Sequence, residues 1–217
     1  MKYLFVITLL ATLLSSCCVF KTKPGLQPNG SIACAQIGGD TESSNLPGFQ
    51  IGNFFILAPE ACAGLQETAA TIEAGVQVSG KGNKSEMEEP GGDGFEPYRF
   101  TERTRTTYLD IPVVAKVPVY KGLSLYGGPQ ASFLLGAKTT TEVNGNENTT
   151  KGTDGFNGFD FGLSVGLDYE LNNGLSFGVG YDHGLSNVYK SDYGSIKSKN
   201  RFLKATVGLN LTKFKDK

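Results

Sequence analysis

Hydrophobic and polar residues alternate strictly along several segments of the chain. The clearest segment is "FDFGLSVGLDYEL", residues 159–171, where Phe, Leu, Val and Tyr take the odd positions and Asp, Gly, Ser and Glu take the even ones. A two-residue period is typical of a β-strand with one apolar and one polar face. The segment is therefore predicted to be a strand, but the period alone leaves open which face meets water.

Eight segments of this kind are predicted, with turn-rich breaks between them. They lie near residues 31–37, 49–57, 65–79, 98–119, 123–137, 159–171, 175–182 and 203–212. The breaks after the second, fourth and sixth segments are short, and the break after the first is intermediate. Those after the third, fifth and seventh are long and polar, at residues 80–97, 139–155 and 187–200. Short turns at one end and long loops at the other are typical of an up-and-down barrel of the outer membrane.

The small size of the polar face indicates its orientation. Gly162, Ser164 and Gly166 suit the crowded interior of an eight-stranded barrel, whereas the exterior of a soluble barrel would carry bulky charged residues. At about 3.3 Å per residue, thirteen residues reach roughly 43 Å. A tilt of about 45° reduces this to roughly 30 Å, the thickness of a hydrocarbon core. The predicted fold is therefore an all-β, eight-stranded antiparallel up-and-down transmembrane β-barrel over residues 31–217, with its apolar face toward lipid.

The charged residues on the polar faces form a candidate lumen network. Its predicted members are Asp110, Lys116, Asp160, Asp168, Glu170, Asp182 and Lys204. Inside a narrow barrel such charges must be paired or hydrated, because an isolated buried charge is too costly. One hypothesis is a polar conduit or proton relay. The other, favoured because eight strands leave little free space, is that the charges neutralise one another and plug the lumen.

The N-terminal residues predict export from the cytoplasm. Residues 1–18 hold one early lysine and then the apolar run "YLFVITLLATLL", which is too short for a comfortable transmembrane helix. "LSSC", residues 14–17, resembles a lipobox and makes Cys17 a candidate for lipidation; an ordinary signal peptide is the alternative. Residues 19–30 are predicted to be a leader without periodicity. Cys34 and Cys62 could pair in an oxidising compartment, although small buried or lipid-facing roles are favoured.

The overall charge and the single histidine narrow the possible functions. The 217 residues include 20 Lys and Arg and 21 Asp and Glu, and this near-neutral balance argues against nucleic acid as a partner. His183 stands beside Asp182 without a Ser-His-Asp or Cys-His pattern around it. No metal-ligand spacing is present. We expect no catalytic residues, no enzyme activity, no metal and no cofactor.

One block of sequence carries a resemblance to a known family. "YLDIPVVAKVPVYKGLSLYGGPQASFLLGAK", residues 108–138, resembles the central signature of outer-membrane β-barrel proteins of the PorT-like type, which are widespread in Bacteroidetes. "GLSFGVGYDHGLSN", residues 174–187, fits the same pattern, and the resemblance covers about residues 31–214. It implies an eight-stranded barrel in a Gram-negative outer membrane, with membrane lipid and the barrel-insertion machinery as partners. Members usually finish on an aromatic residue, whereas here Phe214 is followed by "KDK".

The expected function is a structural or binding role through the long extracellular loops, without catalysis. One alternative is a narrow channel for small solutes. The other is a lipid-anchored soluble barrel that binds an apolar ligand.

Overall fold

The computed structural model describes residues 20–39, 44–59, 70–89, 98–190 and 198–211. Nine β-strands occur in this part of the chain: β1 Phe20–Gly39, β2 Ser44–Pro59, β3 Thr71–Glu89, β4 Tyr98–Tyr120, β5 Leu123–Val143, β6 Asn146–Lys151, β7 Phe159–Glu170, β8 Leu175–Gly184 and β9 Ser198–Leu209. No helix among the described residues is long and apolar enough to cross a membrane.

Eight of the strands close into a ring of antiparallel neighbours. The order around the ring is β1, β2, β3, β4, β5, β7, β8 and β9, and β9 pairs back onto β1. β6 stands outside the ring and pairs with the far end of β5, residues 138–143. The predicted eight-stranded antiparallel up-and-down barrel is confirmed, with β6 added to it.

The apolar faces of the barrel strands point outward and the polar faces point inward. Along β7 the exposed and buried residues alternate, so that Val165 is 49% exposed while Ser164 is 2% exposed. On β4, Asp110 is fully buried and its neighbour Ile111 is exposed. The predicted orientation is therefore confirmed. A soluble barrel with an apolar ligand inside would need the opposite arrangement, so the polar interior contradicts that alternative.

The strands have very unequal lengths. β7, β8 and β9 contain 12, 10 and 12 residues, close to the 9–11 that a tilted strand needs to cross a bilayer. β3, β4 and β5 contain 19, 23 and 21 residues. Their extra lengths leave the barrel at the end opposite the short turns at residues 121–122 and 171–174. Together with β6 they form what we call the projecting sheet: residues 81–89, 98–107, 136–143 and 146–151.

The prediction of loops at residues 80–97, 139–155 and 187–200 is partly wrong. Residues 80–89 continue β3, residues 139–143 continue β5, residues 146–151 form β6, and residues 198–200 begin β9. These stretches are polar on both faces, so they lack the hydrophobic alternation from which strands were predicted. Asn144 and Gly145, with φ angles of 46° and 85°, form the turn between β5 and β6. Positive φ at both positions is typical of an Asn-Gly hairpin turn.

The first strand starts earlier than predicted. Residues 20–30, predicted to be a leader, belong to β1. The register with β2 shifts between Thr22 and Leu26, around Pro24, and β9 pairs with β1 only from Asn29 onward. Proline has no N–H to donate, so it is tolerated at bulges and where a strand is paired on one side only. The irregular pairing accounts for the lack of alternation in these residues. Residues 1–19, with Cys17, lie outside the described residues, as do Cys62 and the side chain of Cys34.

Placing a charge on the lipid-facing surface tests this orientation. We expect Val165→Arg to lower the free energy of unfolding in lipid vesicles by about 2–4 kcal/mol, because the residue lies near the middle of the membrane-spanning strand β7. Val143→Arg, in the projecting sheet, should change it little. Urea titration monitored by circular dichroism measures the free energy of unfolding of both variants. Equal effects at the two positions would contradict the assignment of the outer face to lipid.

Candidate functional site

A chain of hydrogen-bonded polar side chains crosses the interior of the barrel. We call it the central network, and every strand of the ring except β1 and β5 contributes one side chain to it. Its members are Gln50 on β2, Lys81 on β3, Asp110 on β4, Ser164 on β7, Asp182 on β8 and Lys204 on β9. All six are buried, with at most 6% of any side chain's surface exposed.

One half of the central network is centred on Asp110. The Lys81 Nζ atom lies 3.4 Å from Asp110 Oδ1. Gln50 donates from Nε2 to Asp110 Oδ2 at 3.2 Å. The carboxylate therefore has a positive partner and a neutral donor at the same time, as a fully buried charge requires.

The other half is centred on Asp182. Lys204 Nζ lies 2.9 Å from Asp182, and Ser164 Oγ donates to Asp182 Oδ1 at 2.6 Å. Lys204 also donates to Gln50 Oε1 at 3.1 Å, which joins the two halves. Two lysines and two aspartates balance, so the central network carries no net charge.

Aromatic side chains fill the lumen beside Lys81. Its Nζ atom lies 4.9 Å from the centre of the Tyr108 ring and 5.9 Å from that of Phe202. Both rings are almost completely buried. A cation over an aromatic face is stabilised by the ring quadrupole, and the bulk of the rings leaves little open space at this level.

Tyr126 occupies the lumen on the turn side of the central network. A Cβ atom at either Gly166 or Gly180 would collide with the Tyr126 side chain. The missing side chains at these two inward-facing positions therefore make room for the ring. Glycine on the polar face lets one large residue fill the width of a narrow barrel.

A second polar cluster lies at the end that carries the short turns. Lys116 Nζ is 2.6 Å from Asp168 Oδ2 and 3.7 Å from Glu73 Oε1. Nearby, Asn210 donates to Glu170 at 3.4 Å. A cavity of about 60 Å³ is bordered by Glu73, Lys116 and Asp168. The lumen is thus more open at the turn end than around the central network.

Asp160 belongs to neither cluster. It accepts a hydrogen bond from Asn200 Nδ2 at 2.8 Å and another from the backbone N–H of Ser186 at 3.3 Å. Ser186 precedes the third long loop. Asp160 therefore ties that loop to the barrel rather than extending the chain of charges.

The seven residues predicted from sequence thus fall into three settings. Asp110, Asp182 and Lys204 meet in the central network, Lys116 and Asp168 meet at the turn end, and Asp160 and Glu170 bind asparagines. Sequence analysis missed Gln50, Glu73, Lys81 and Ser164. Glu73 and Ser164 alternate with apolar neighbours, and Gln50 follows exposed Phe49. Their positions in the alternating pattern could therefore have predicted that these three side chains point into the barrel. Lys81 was missed because its segment was predicted to be a loop.

Two loops pack together above the barrel. Phe156 and Val188 are buried against Leu134 and Ala137 of β5, and the ring of Phe156 lies 5.2 Å from that of Tyr189. Burial raises the pKa of the Tyr189 hydroxyl, so it stays neutral at physiological pH. The connections at residues 152–158 and 185–190 are therefore held against the outer end of β5.

His183 lies on the outward face near the rim of β8. Its Nδ1 atom is 3.2 Å from the Tyr181 hydroxyl, and no hydrogen bond to Ser or Cys is seen for it among the described residues. The same described residues contain no group of three His, Cys, Asp or Glu side chains able to hold a metal ion.

A family model identifies the chain. The model for the outer membrane protein beta-barrel domain matches residues 47–190, about two thirds of the sequence. The protein belongs to the outer membrane protein beta-barrel domain family. It is accordingly a protein of the outer membrane. No curated protein matches the sequence.

Two solved structures illustrate what this family member is similar to. Neisserial surface protein A is 10% identical over 85% of this chain and 95% of its own, with a TM-score of 0.40. Ail, the attachment invasion locus protein of Yersinia pestis, is 14% identical over 86% of this chain and 99% of its own, with a TM-score of 0.43. The family assignment rests on the family model and not on these two structures.

Removing one charge from the central network tests how far it stabilises the barrel. Lys204→Met leaves the Asp182 carboxylate buried without its ammonium partner, and we expect the free energy of unfolding to fall by about 3–5 kcal/mol. Arg99→Met is the matched control, because Arg99 pairs with Glu88 on the exposed surface and such pairs contribute about 0–1 kcal/mol. Urea unfolding in vesicles measures both. A similar small loss in each variant would show that the buried pair is not stabilising.

Proposed function

We propose that the protein is a non-conducting, non-catalytic outer-membrane barrel whose role is to hold a polar sheet at the cell surface as a binding scaffold. The observation that carries this proposal is the projecting sheet. Its strands continue β3, β4 and β5 without interruption, so the sheet is anchored to the barrel by backbone hydrogen bonds. Long loops of outer-membrane barrels face the exterior, which supports placing this end outside the cell.

The contents of the lumen support a plugged barrel over a channel. The central network spans the interior with buried, mutually neutralised charges, and the Tyr108, Phe202 and Tyr126 rings fill levels on either side of it. A solute could pass only if these hydrogen bonds and ion pairs separated. The cavity at the turn end stops beneath Gln50 and Lys204, which border it. The narrow channel therefore remains the second hypothesis.

We also assign the protein to the PorT-like type within the family. The supporting feature is the block at residues 108–138, which spans the hairpin of β4 and β5 and contains Asp110, Lys116 and Tyr126. On this assignment the partners are the lipid of the outer membrane and the barrel-insertion machinery.

Conductance measurements separate the plugged barrel from the channel. We expect purified, refolded protein to give no single-channel steps in planar bilayers, because the central network blocks the lumen. A variant with Lys81, Asp110, Asp182 and Lys204 all replaced by Ala keeps charge neutrality and removes the network. It should conduct if heat-modifiable mobility on gels shows that it has folded. Regular steps from the unmodified protein would establish the channel and overturn the proposal.

Epitope insertion tests which end of the barrel is at the cell surface. A tag inserted between Asn144 and Gly145, in the β5–β6 turn, should bind antibody on intact cells. The same tag inserted between Lys121 and Gly122, in the β4–β5 turn, should bind only after permeabilisation. Both sites are exposed two-residue turns, so both should tolerate an inserted tag equally well. The reverse staining pattern would place the projecting sheet in the periplasm and refute a surface scaffold.

A further inference from the structure

Three basic side chains lie side by side on the outward face of the projecting sheet. Arg105 on β4 is the cross-strand partner of Lys138 on β5, and Lys138 is the partner of Lys151 on β6. All three are exposed. We call Arg105, Lys138 and Lys151 the basic row.

The three residues of the basic row share one face of the sheet because β5 contains a bulge. Thr107 pairs with Gly136 and Tyr108 pairs with Leu134, so Leu135 is an extra residue in β5. The extra residue reverses the parity of β5 beyond it. Lys138 therefore points outward, although it shares its even parity with the buried Ser132. The bulge brings the lysine into line with Arg105.

On this face, whether the basic residues have acidic partners depends on their distance from the membrane. In the next row outward, Lys84 and Arg103 are cross-strand partners. Lys84 pairs with Glu86, and Arg103 lies 3.6 Å from Glu142, so both have carboxylates on the side away from the membrane. Within the described part of the chain, no ion pair joins the basic row to a carboxylate. The row nearest the membrane is thus the uncompensated one.

Like charges directly opposite one another on neighbouring strands are destabilising. The basic row places three positive charges on neighbouring strands, so a bound anion would reduce the repulsion between them. Arginine binds phosphate through two parallel N–H donors and lysine binds it as a compact point charge. A phosphate-bearing ligand has the charge that this row lacks.

The basic row lies just beyond the apolar surface of the barrel. Phe133 and Leu135 on β5, 41% and 57% exposed, precede Lys138 on the same strand. Leu135 and Lys138 are three residues apart, about 10 Å along a strand. This distance carries the chain from the hydrocarbon into the headgroup layer, which adds roughly 5–8 Å on each side of the membrane.

We propose that Arg105, Lys138 and Lys151 form a binding site for the phosphate-bearing headgroup of an outer-leaflet lipid. The acyl chains of that lipid lie along the apolar face containing Phe133, Leu135 and Phe159, while its phosphate meets the basic row. The site rests on the proposed placement of the projecting sheet outside the cell and on the position of the row above the apolar band. It does not depend on whether the lumen conducts.

Native mass spectrometry of the folded protein in detergent tests the site with diphosphorylated lipid A and its dephosphorylated form. We expect the phosphorylated lipid to bind about 100-fold more tightly, given roughly 1 kcal/mol for each of the three cations near an anionic surface. The triple variant R105Q, K138Q, K151Q should lose this preference. The control R99Q, K121Q, K190Q removes the same charge from exposed sites elsewhere and should keep it.

The outcomes that overturn the proposal are distinct. Equal binding of the two lipids by the unmodified protein would show that phosphate is not recognised. Equal loss in the control variant would show a general charge effect. Displacement of the lipid by an equal concentration of inorganic phosphate or of dextran sulfate would assign the row to soluble anions instead. If the triple variant fails to fold, K138Q alone removes the middle of the row and should weaken the preference about fivefold.

A stability measurement gives a second, independent test. In vesicles of phosphatidylcholine alone, the choline cation of each headgroup balances its phosphate, so the membrane surface carries no net negative charge. There the triple variant should unfold at a higher urea concentration than the unmodified protein, because it lacks the repulsion between the three cations. In vesicles containing anionic phosphatidylglycerol the order should reverse, since only the unmodified protein gains the headgroup contacts. The same order in both kinds of vesicle would overturn the proposal.

Discussion

The need to neutralise buried charge shapes the interior of this barrel. An isolated lysine or aspartate inside a protein is too costly to keep ionised, and the central network contains two of each. Every one of them must find its partner at the same height in the lumen. A slip of one residue in any contributing strand would turn its polar face to lipid and break the network. The register of the contributing strands is therefore tied to the pairing of these charges.

Much of this arrangement could be predicted from the sequence because the barrel wall imposes a two-residue period. Small residues such as Ser164 and Gly166 identified the inner face, and three of the four charged members of the central network stood out on it. Lys81 did not, because it lies where the strand leaves the lipid and the outer face becomes polar. Gln50 carries no charge and so did not stand out, although it joins the two halves of the network.

The outward direction of Lys138 could not be predicted at all. The alternation that locates strands assumes regular pairing, and the extra residue at Leu135 shows itself only in the pairing with β4. The same limit applies to β1, where Pro24 interrupts the register. Bulges and proline positions depend on the neighbouring strand, which a single sequence does not display.

The way the central network is divided bears on how the barrel assembles. Lys81 and Asp110 lie on adjacent strands β3 and β4 and are separated by 29 residues of chain. Asp182 and Lys204 likewise lie on adjacent strands β8 and β9 and are separated by 22 residues. Each half can therefore cancel its own charge before the two meet. The link between them, from Lys204 to Gln50, spans 154 residues and involves an uncharged amide. Closure of the ring thus joins two electrically neutral pieces, so the longest-range step of folding need not carry an unpaired ion into the membrane.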